Sequence, residues 1–244
     1  EAELAALLAR RVEHLTAYQN AAYAMFYRAL VDRVAAAERK VVGESVPLRL
    51  AAAVARVYAQ LLAYKDEYEV ARLFADGSFR RALAAQFEGD YTLRFHMAPP
   101  LLATPDASGR PRKLDFGPRL MALMKILARG KVLRGTALDL FGRTAERRME
   151  RALAVDYART IEALLPRLSA DTLDRAIRFA ALAGGIRGYG PVKLANLREV
   201  KRRERALAHE LGIDFITSDA VLCLLEVGPV ADHGDRLPLG AAGQ

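Results

Sequence analysis

The sequence predicts a mainly α protein: a bundle of long helices with a small β-hairpin or three-stranded sheet inserted at about 90–117. Three observations carry this. Apolar residues recur at three- and four-residue steps through most of the chain, the signature of helices with one buried face. The links between these segments are short, which favours up-and-down packing. One stretch, "FEGDYTLRFHMAPPLL" (Phe87 to Leu102), instead alternates with period two and stops at two prolines.

Residues 1–40 read as one long helix, because Leu4, Leu8, Leu15, Tyr18, Ala22, Met25 and Ala29 share a face and no Pro or Gly interrupts before Gly43. Tyr18, Tyr23, Phe26 and Tyr27 around it are either core or an interface. A second helix opens with Ser45 as cap and Pro47 in the first turn, and runs to about Ala75. "DG" at 76–77 ends it, and Ser78 caps a short helix that ends near Phe87. In the strand that follows, Tyr91, Leu93, Phe95 and Met97 point one way and Thr92, Arg94 and His96 the other. Its partners are two extended arms in Leu101 to Phe116 around the turn-rich "PDASG". Helices resume from Pro118 to Leu133, from the Thr144 cap to about Leu165, from the Ser169 cap to "GG" at 184–185, and from Pro191 to about Leu211. Residues 1–211 are thus one helical domain with a β insert, and 212–244 a tail in which "IDFIT" and "AVLCLLEV" fit strands or a short buried helix.

A chain of 244 residues has length for a sizeable core, as one large domain or two small ones. Its 52% hydrophobic and 27% charged residues place it with soluble globular proteins, and no apolar run approaches the ~18 residues of a membrane span. The first turn is acidic with no apolar stretch behind it, which argues against a secretion signal, and the lone cysteine fits a reducing cytoplasm. Because residue 1 is Glu rather than Met, the chain is expected to be either processed or cut from something longer. A single cysteine, Cys223, excludes an internal disulfide and any metal site built on several thiolates; in its apolar run it reads as a buried inert thiol. The net charge of +8 points to an acidic partner, although most arginines stand beside glutamates on helix faces.

No catalytic set and no metal-ligand spacing stands out. His96, Arg94 and Asp90 fall on one strand face, so an acid–base role competes with a hydrogen-bonded, partly buried histidine that holds the hairpin; no nucleophile accompanies them. Asp66, Glu67 and Glu69 read as ion-pair partners for arginines, including those of 147–151. "GGIRGYGPVK" (Gly184 to Lys193) precedes a helix, so Arg187, Gly188, Gly190 and Lys193 are the candidates for cradling a phosphate. The loop lacks the Gly-Lys-Ser/Thr ending of a nucleotide-binding P-loop, and a helix–helix turn explains its glycines equally well. "RPRK" at 110–113 is basic but not interleaved with aromatics, which argues against nucleic acid.

Six segments carry a family resemblance: "TAYQNAAYA", "LAYKDEYEVARLF", "FEGDYTLRFHMAPPLL", "GRPRKLDFGP", "LRGTALDLFGRTAERRMERALAVDY" and "IRGYGPVK". In this order they resemble the C-terminal domain, of unassigned role, of the large fused indolepyruvate ferredoxin oxidoreductases, over roughly residues 1–210. The chain departs at Pro191, where relatives are expected to carry His. The resemblance implies a parent enzyme that oxidatively decarboxylates an aryl pyruvate with thiamine diphosphate, magnesium, iron–sulfur clusters and coenzyme A, and passes electrons to ferredoxin. None of that catalytic machinery is visible in this chain: it has one cysteine where clusters need several, and no thiamine motif. The resemblance therefore implies a non-catalytic accessory domain. Its partners would be the remaining domains of the same polypeptide and a second copy in a homodimer, with ferredoxin the partner of the whole enzyme and neither nucleic acid nor membrane among them. The alternative is a binding module for a phosphorylated ligand such as coenzyme A, or for acidic ferredoxin, through its basic loops.

Overall fold

The structure is a computed structural model describing residues 2–89, 92–97, 112, 114–117 and 119–226. It is a mainly α protein with an inserted two-stranded hairpin.

The expected first helix is two. Helix α1 (Ala2–Tyr18) and α2 (Ala21–Val42) are separated at Asn20, whose extended backbone (φ −168°) and side-chain oxygen, accepting from the Tyr23 amide at 2.9 Å, start α2 afresh. The chain folds back there, so that Leu4, Leu7 and Leu8 border the same groove as Arg28, Asp32 and Ala35. The apolar face that reads as continuous is two faces turned toward each other.

The second expected helix is also two, α3 (Arg49–Leu62) and α4 (Glu67–Ala75). Asp66 caps α4 by accepting from the Glu69 amide at 2.8 Å. The start of α3 uses neither Ser45 nor Pro47. Leu48 holds the cap position, and fully buried Glu38 of α2 accepts the amides of Leu50 and Ala51, each at 2.8 Å. A buried carboxylate at a helix start satisfies two orphan amides and meets the positive end of the dipole.

Helix α5 (Ser78–Gln86) has Gly77, at φ +83°, rather than Ser78 in the cap position. Strand β1 (Phe95–Met97) pairs antiparallel with β2 (Leu114–Phe116), matching Phe95 to Phe116, His96 to Asp115 and Met97 to Leu114. The ladder is shorter than the strand expected from Tyr91, and two strands form it among the described residues. Asp90, Tyr91 and the "PDASG" turn lie outside those residues. Alternation holds from 92 to 97: Phe95 is buried, Leu93 and Met97 half-buried, and Thr92, Arg94 and His96 exposed.

Helix α6 (Leu120–Arg129) tightens into a 3₁₀ turn over Gly130–Leu133. Helix α7 (Ala145–Leu164) starts at the expected Thr144 cap. Helix α8 (Leu173–Leu182) begins later than a Ser169 cap would place it, because Ser169 and Thr172 bond to each other in a preceding turn. Helix α9 (Gly190–Leu211) closes on Gly212 at φ +64°; in the tail, α10 (Asp219–Glu226) makes "AVLCLLE" helix, "IDFIT" forms neither strand nor helix, and 227–244 lie outside the described residues. Cys223 is exposed, not buried: within α10 the buried position is Val221, and a residue two positions further on faces the other way.

The main core joins α1, α2, α3, α7, α8 and α9 around Leu15, Tyr27, Val54, Tyr58, Tyr157 and Phe179. Tyr27, Tyr58 and Tyr157 stack in sequence with centroids 6.0 Å apart. Buried phenols direct their hydroxyls to backbone carbonyls: Tyr18 to Tyr64 O at 3.1 Å, Tyr27 to Ala55 O at 3.0 Å, Tyr157 to Ala180 O at 2.8 Å. Phe26 is the exception among the early aromatics and stands 62% exposed. A second, smaller cluster of Ala71, Phe95, Leu120, Met121 and Met124 packs the hairpin against α4 and α6. No helix among the described residues is long and apolar enough to cross a membrane.

Candidate functional site

The glycine-rich loop and the start of α9 form one wall of a groove of about 280 Å³, completed by Gln60–Lys65 residues at the end of α3 and by Glu150 and Leu153 of α7. The sequence candidates Arg187, Gly188 and Lys193 line it, with Gly190 at the first position of α9. Glycine is required at 188: the backbone sits at φ +97°, and a Cβ would meet Val192 Cγ1 at 3.0 Å. Helix α9 opens with Tyr189 at the cap position, which offers no side-chain bond.

The cations here are mostly committed. The Lys193 ammonium bonds Glu150 Oε1, and Arg147 donates to Glu150 Oε2 at 2.6 Å and to Glu67 Oε1 at 3.4 Å. This alternating chain of charges links α4, α7 and α9. Burial opposes the charge on Arg147, but Glu150 and Glu67 outweigh it and hold its pKa above the ordinary arginine value. Arg187 Nε donates to Gly184 O at 2.8 Å, and the Arg187 carbonyl accepts from Asn196. Among the described residues that line the groove, Lys65 and the outer nitrogens of Arg187 are what remains for an incoming anion.

The hairpin candidates sit elsewhere. Arg94 pairs with Asp115 at 2.9 Å, and His96 Nδ1 lies 4.0 Å from the same carboxylate, across the ladder. His96 is not partly buried: its side chain is 65% exposed, because Phe95 takes the inward face, against Phe74 and Phe79. One solvated carboxylate beside an exposed imidazole shapes no substrate pocket.

The acidic run at 66–69 does pair with arginines, and the partner with most buried contact is Arg134. It forks onto Asp66 (2.6 and 2.9 Å), donates to Tyr18 O at 2.7 Å and Gln19 Oε1 at 2.8 Å, and lies 3.7 Å over the Tyr18 ring. It ties the α1–α2 corner to the α3–α4 break. Glu69 takes Arg72 at 2.8 Å through both oxygens and has His14 at 3.5 Å. Burial raises the Glu69 pKa, but these hydrogen bonds prevail and bring it down to about 2. Asp139, also buried, accepts from the Gly135 amide at 2.8 Å, the Gly142 amide at 2.9 Å and the Tyr68 hydroxyl at 3.3 Å.

Another buried group escaped sequence reasoning. Asp156 Oδ2 accepts both the amide and hydroxyl of Ser218, at 2.8 and 2.9 Å, anchoring the segment that leads into α10. Nearby, Lys201 and Glu204 pair at 2.7 Å in the core, where burial raises the Glu204 pKa against the pull of Lys201.

A model for a family of unknown function, DUF6537, matches residues 4–206. The chain belongs to this family. No curated protein and no solved structure matches the chain. The matched span runs from α1 into the last turns of α9, so the DUF6537 region contains the groove, the hairpin and the Arg134 brace; the Ser218 anchor and α10 lie past it. Among the described residues, no three His, Cys, Asp or Glu side chains are arranged to hold a metal ion. The groove's glycines were legible as a turn that needs φ > 0. Lys65 and Glu150 were not, since only the packing of α3 and α7 brings them beside the loop.

Proposed function

We propose that this chain is a non-catalytic packing domain of a thiamine-diphosphate-dependent 2-oxoacid ferredoxin oxidoreductase of the indolepyruvate type, acting in the cytoplasm through contacts between domains or subunits. The parent family rests on the six sequence segments quoted above. The packing role rests on one observation: a set of large apolar side chains faces outward. Met25, Phe26, Leu123, Ile126, Leu138 and Leu140 are each 57–69% exposed. Thiamine diphosphate, magnesium, the iron–sulfur clusters and coenzyme A belong, in this reading, to other domains of the polypeptide. Deleting the domain from the parent enzyme tests it. The expected result is loss of the native oligomer mass. Retention of mass and cofactors, with coenzyme A saturation alone lost, would overturn it.

A second reading, a site for a phosphorylated ligand such as coenzyme A, is favoured by Lys65 and Arg187, which line the groove and have no carboxylate partner among the described residues. Coenzyme A binding that weakens in Lys65→Glu with Arg187→Glu would support it; a titration unchanged by both would dismiss it.

A further inference from the structure

We infer that the loop between α6 and α7, residues 134–143, is a docking platform for an acidic protein surface that presents apolar side chains. This names the kind of partner for the packing role proposed above and rests on that reading.

The loop is held in one shape from beneath. Arg134 is locked on Asp66, and Asp139 gathers the amides of Gly135 and Gly142. Thr136 bonds Leu133 O through both its amide (2.9 Å) and its hydroxyl (2.7 Å), and the Leu138 amide returns to that hydroxyl at 3.2 Å. Gly142 is packed so closely that a Cβ would come within 2.1 Å of Asp139 Oδ2. The braced loop holds Leu138 at 69% and Leu140 at 64% exposure. Single exposed leucines are ordinary; two on a braced loop form a contact whose ordering cost is already met.

Charge selects the occupant. Arg143 donates to Ala137 O at 2.6 Å and Arg148 to Arg143 O at 2.7 Å, which sets both guanidinium groups against the loop. Neither forms an ion pair among the described residues. The loop's one carboxylate, Asp139, is buried and engaged, and Glu146 on the first turn of α7 is half-buried and pairs with neither arginine. The exposed field is therefore positive around an apolar tip. A second copy of this chain, itself carrying +8, is a poor match; an acidic surface with apolar side chains is complementary.

The test is a fluorescence-anisotropy titration of the intact chain with a synthetic amphipathic helix bearing a leucine stripe and a glutamate-rich face. Leu138→Ser with Leu140→Ser is expected to weaken binding roughly tenfold or more. Arg143→Glu with Arg148→Glu is expected to weaken it and flatten its salt dependence. Urea midpoints matching the parent chain certify each variant as folded, and the exposed leucines make that the expected result; Leu138→Ala with Leu140→Ala serves if the serines unfold it. Absence of binding overturns the inference. So does equal binding by the leucine variants, equal competition by polyglutamate, or capture by phosphatidylglycerol vesicles in place of the peptide. Failure here with the oligomer still lost on domain deletion removes the loop's role and leaves the packing domain standing; an oligomer unchanged by deletion removes the packing reading whatever the peptide does.

Discussion

Replacing Arg134 by Met removes the brace at the α1–α2 corner while filling much of its volume. The side chain is 6% exposed, and so is Asp66 at 4%, so neither charge is dissolved in water. The variant loses a two-pronged bond to Asp66, two further bonds to Tyr18 O and Gln19 Oε1, and the stack on Tyr18. Breaking a buried ion pair by deleting one partner costs about 3–5 kcal/mol, chiefly because the other charge stays behind. We expect about 4 kcal/mol, a large share of the roughly 5–15 kcal/mol that holds a domain folded. With a urea m value of about 2–3 kcal/mol per M, the midpoint followed by circular dichroism falls by about 1.3–2 M. Adding Asp66→Asn removes the stranded charge and keeps a cap for α4, so the double variant regains about 1–2 kcal/mol. A loss under about 1 kcal/mol for Arg134→Met would refute the brace. A double variant no better than the single would refute the charge argument and leave only packing.

Three further outcomes follow from the same geometry. Asn20→Ala removes the cap that separates α1 from α2 and lowers stability by about 1 kcal/mol, whereas Asn20→Asp is nearly neutral in the same urea assay. Glu69 titrates at about 2 instead of 4.5, so the unfolded chain takes up its proton first. Its stabilisation is complete above about 4.5 and is lost as pH falls toward 2, a change of roughly 3 kcal/mol that Glu69→Gln should delete from the acid limb of the stability profile; parallel acid limbs in the two proteins would contradict this. Gly142→Ala drives a Cβ into Asp139 and costs about 1–3 kcal/mol by overpacking, visible as a lowered urea midpoint; an unchanged midpoint would mean that the Asp139 brace yields freely.

Helix content was legible because the apolar period survives across the chain, and the inward–outward order of 92–97 was legible because a strand has only two faces. The breaks at 19–20 and 63–66 were not, since neither holds Gly or Pro. Asn20 and Asp66 look like polar residues on a helix face until their side chains are seen accepting amides. The start of α3 depends on Glu38, on another helix, and no local pattern announces that. In the candidate groove the glycines declared a turn from composition alone. Whether Lys193 is free depends on Glu150, which is far away in sequence and adjacent in space. Arg134 is one arginine among many in the sequence, and Cys223 one apolar residue in an apolar run; tertiary packing buries the first and exposes the second.

The chain contains nine tyrosines and no tryptophan, so its near-ultraviolet signal belongs largely to phenols. The stacked row in the core makes that signal a report on the fold. Burial moves Tyr27 up to about 12, and Tyr18, Tyr23, Tyr58 and Tyr157 higher still. In rising alkali these core phenols stay protonated, and dark at phenolate wavelengths, while the fold holds. Their absorbance then arrives in a single late step when the helices separate, an unfolding dye written into the polypeptide and needing no label.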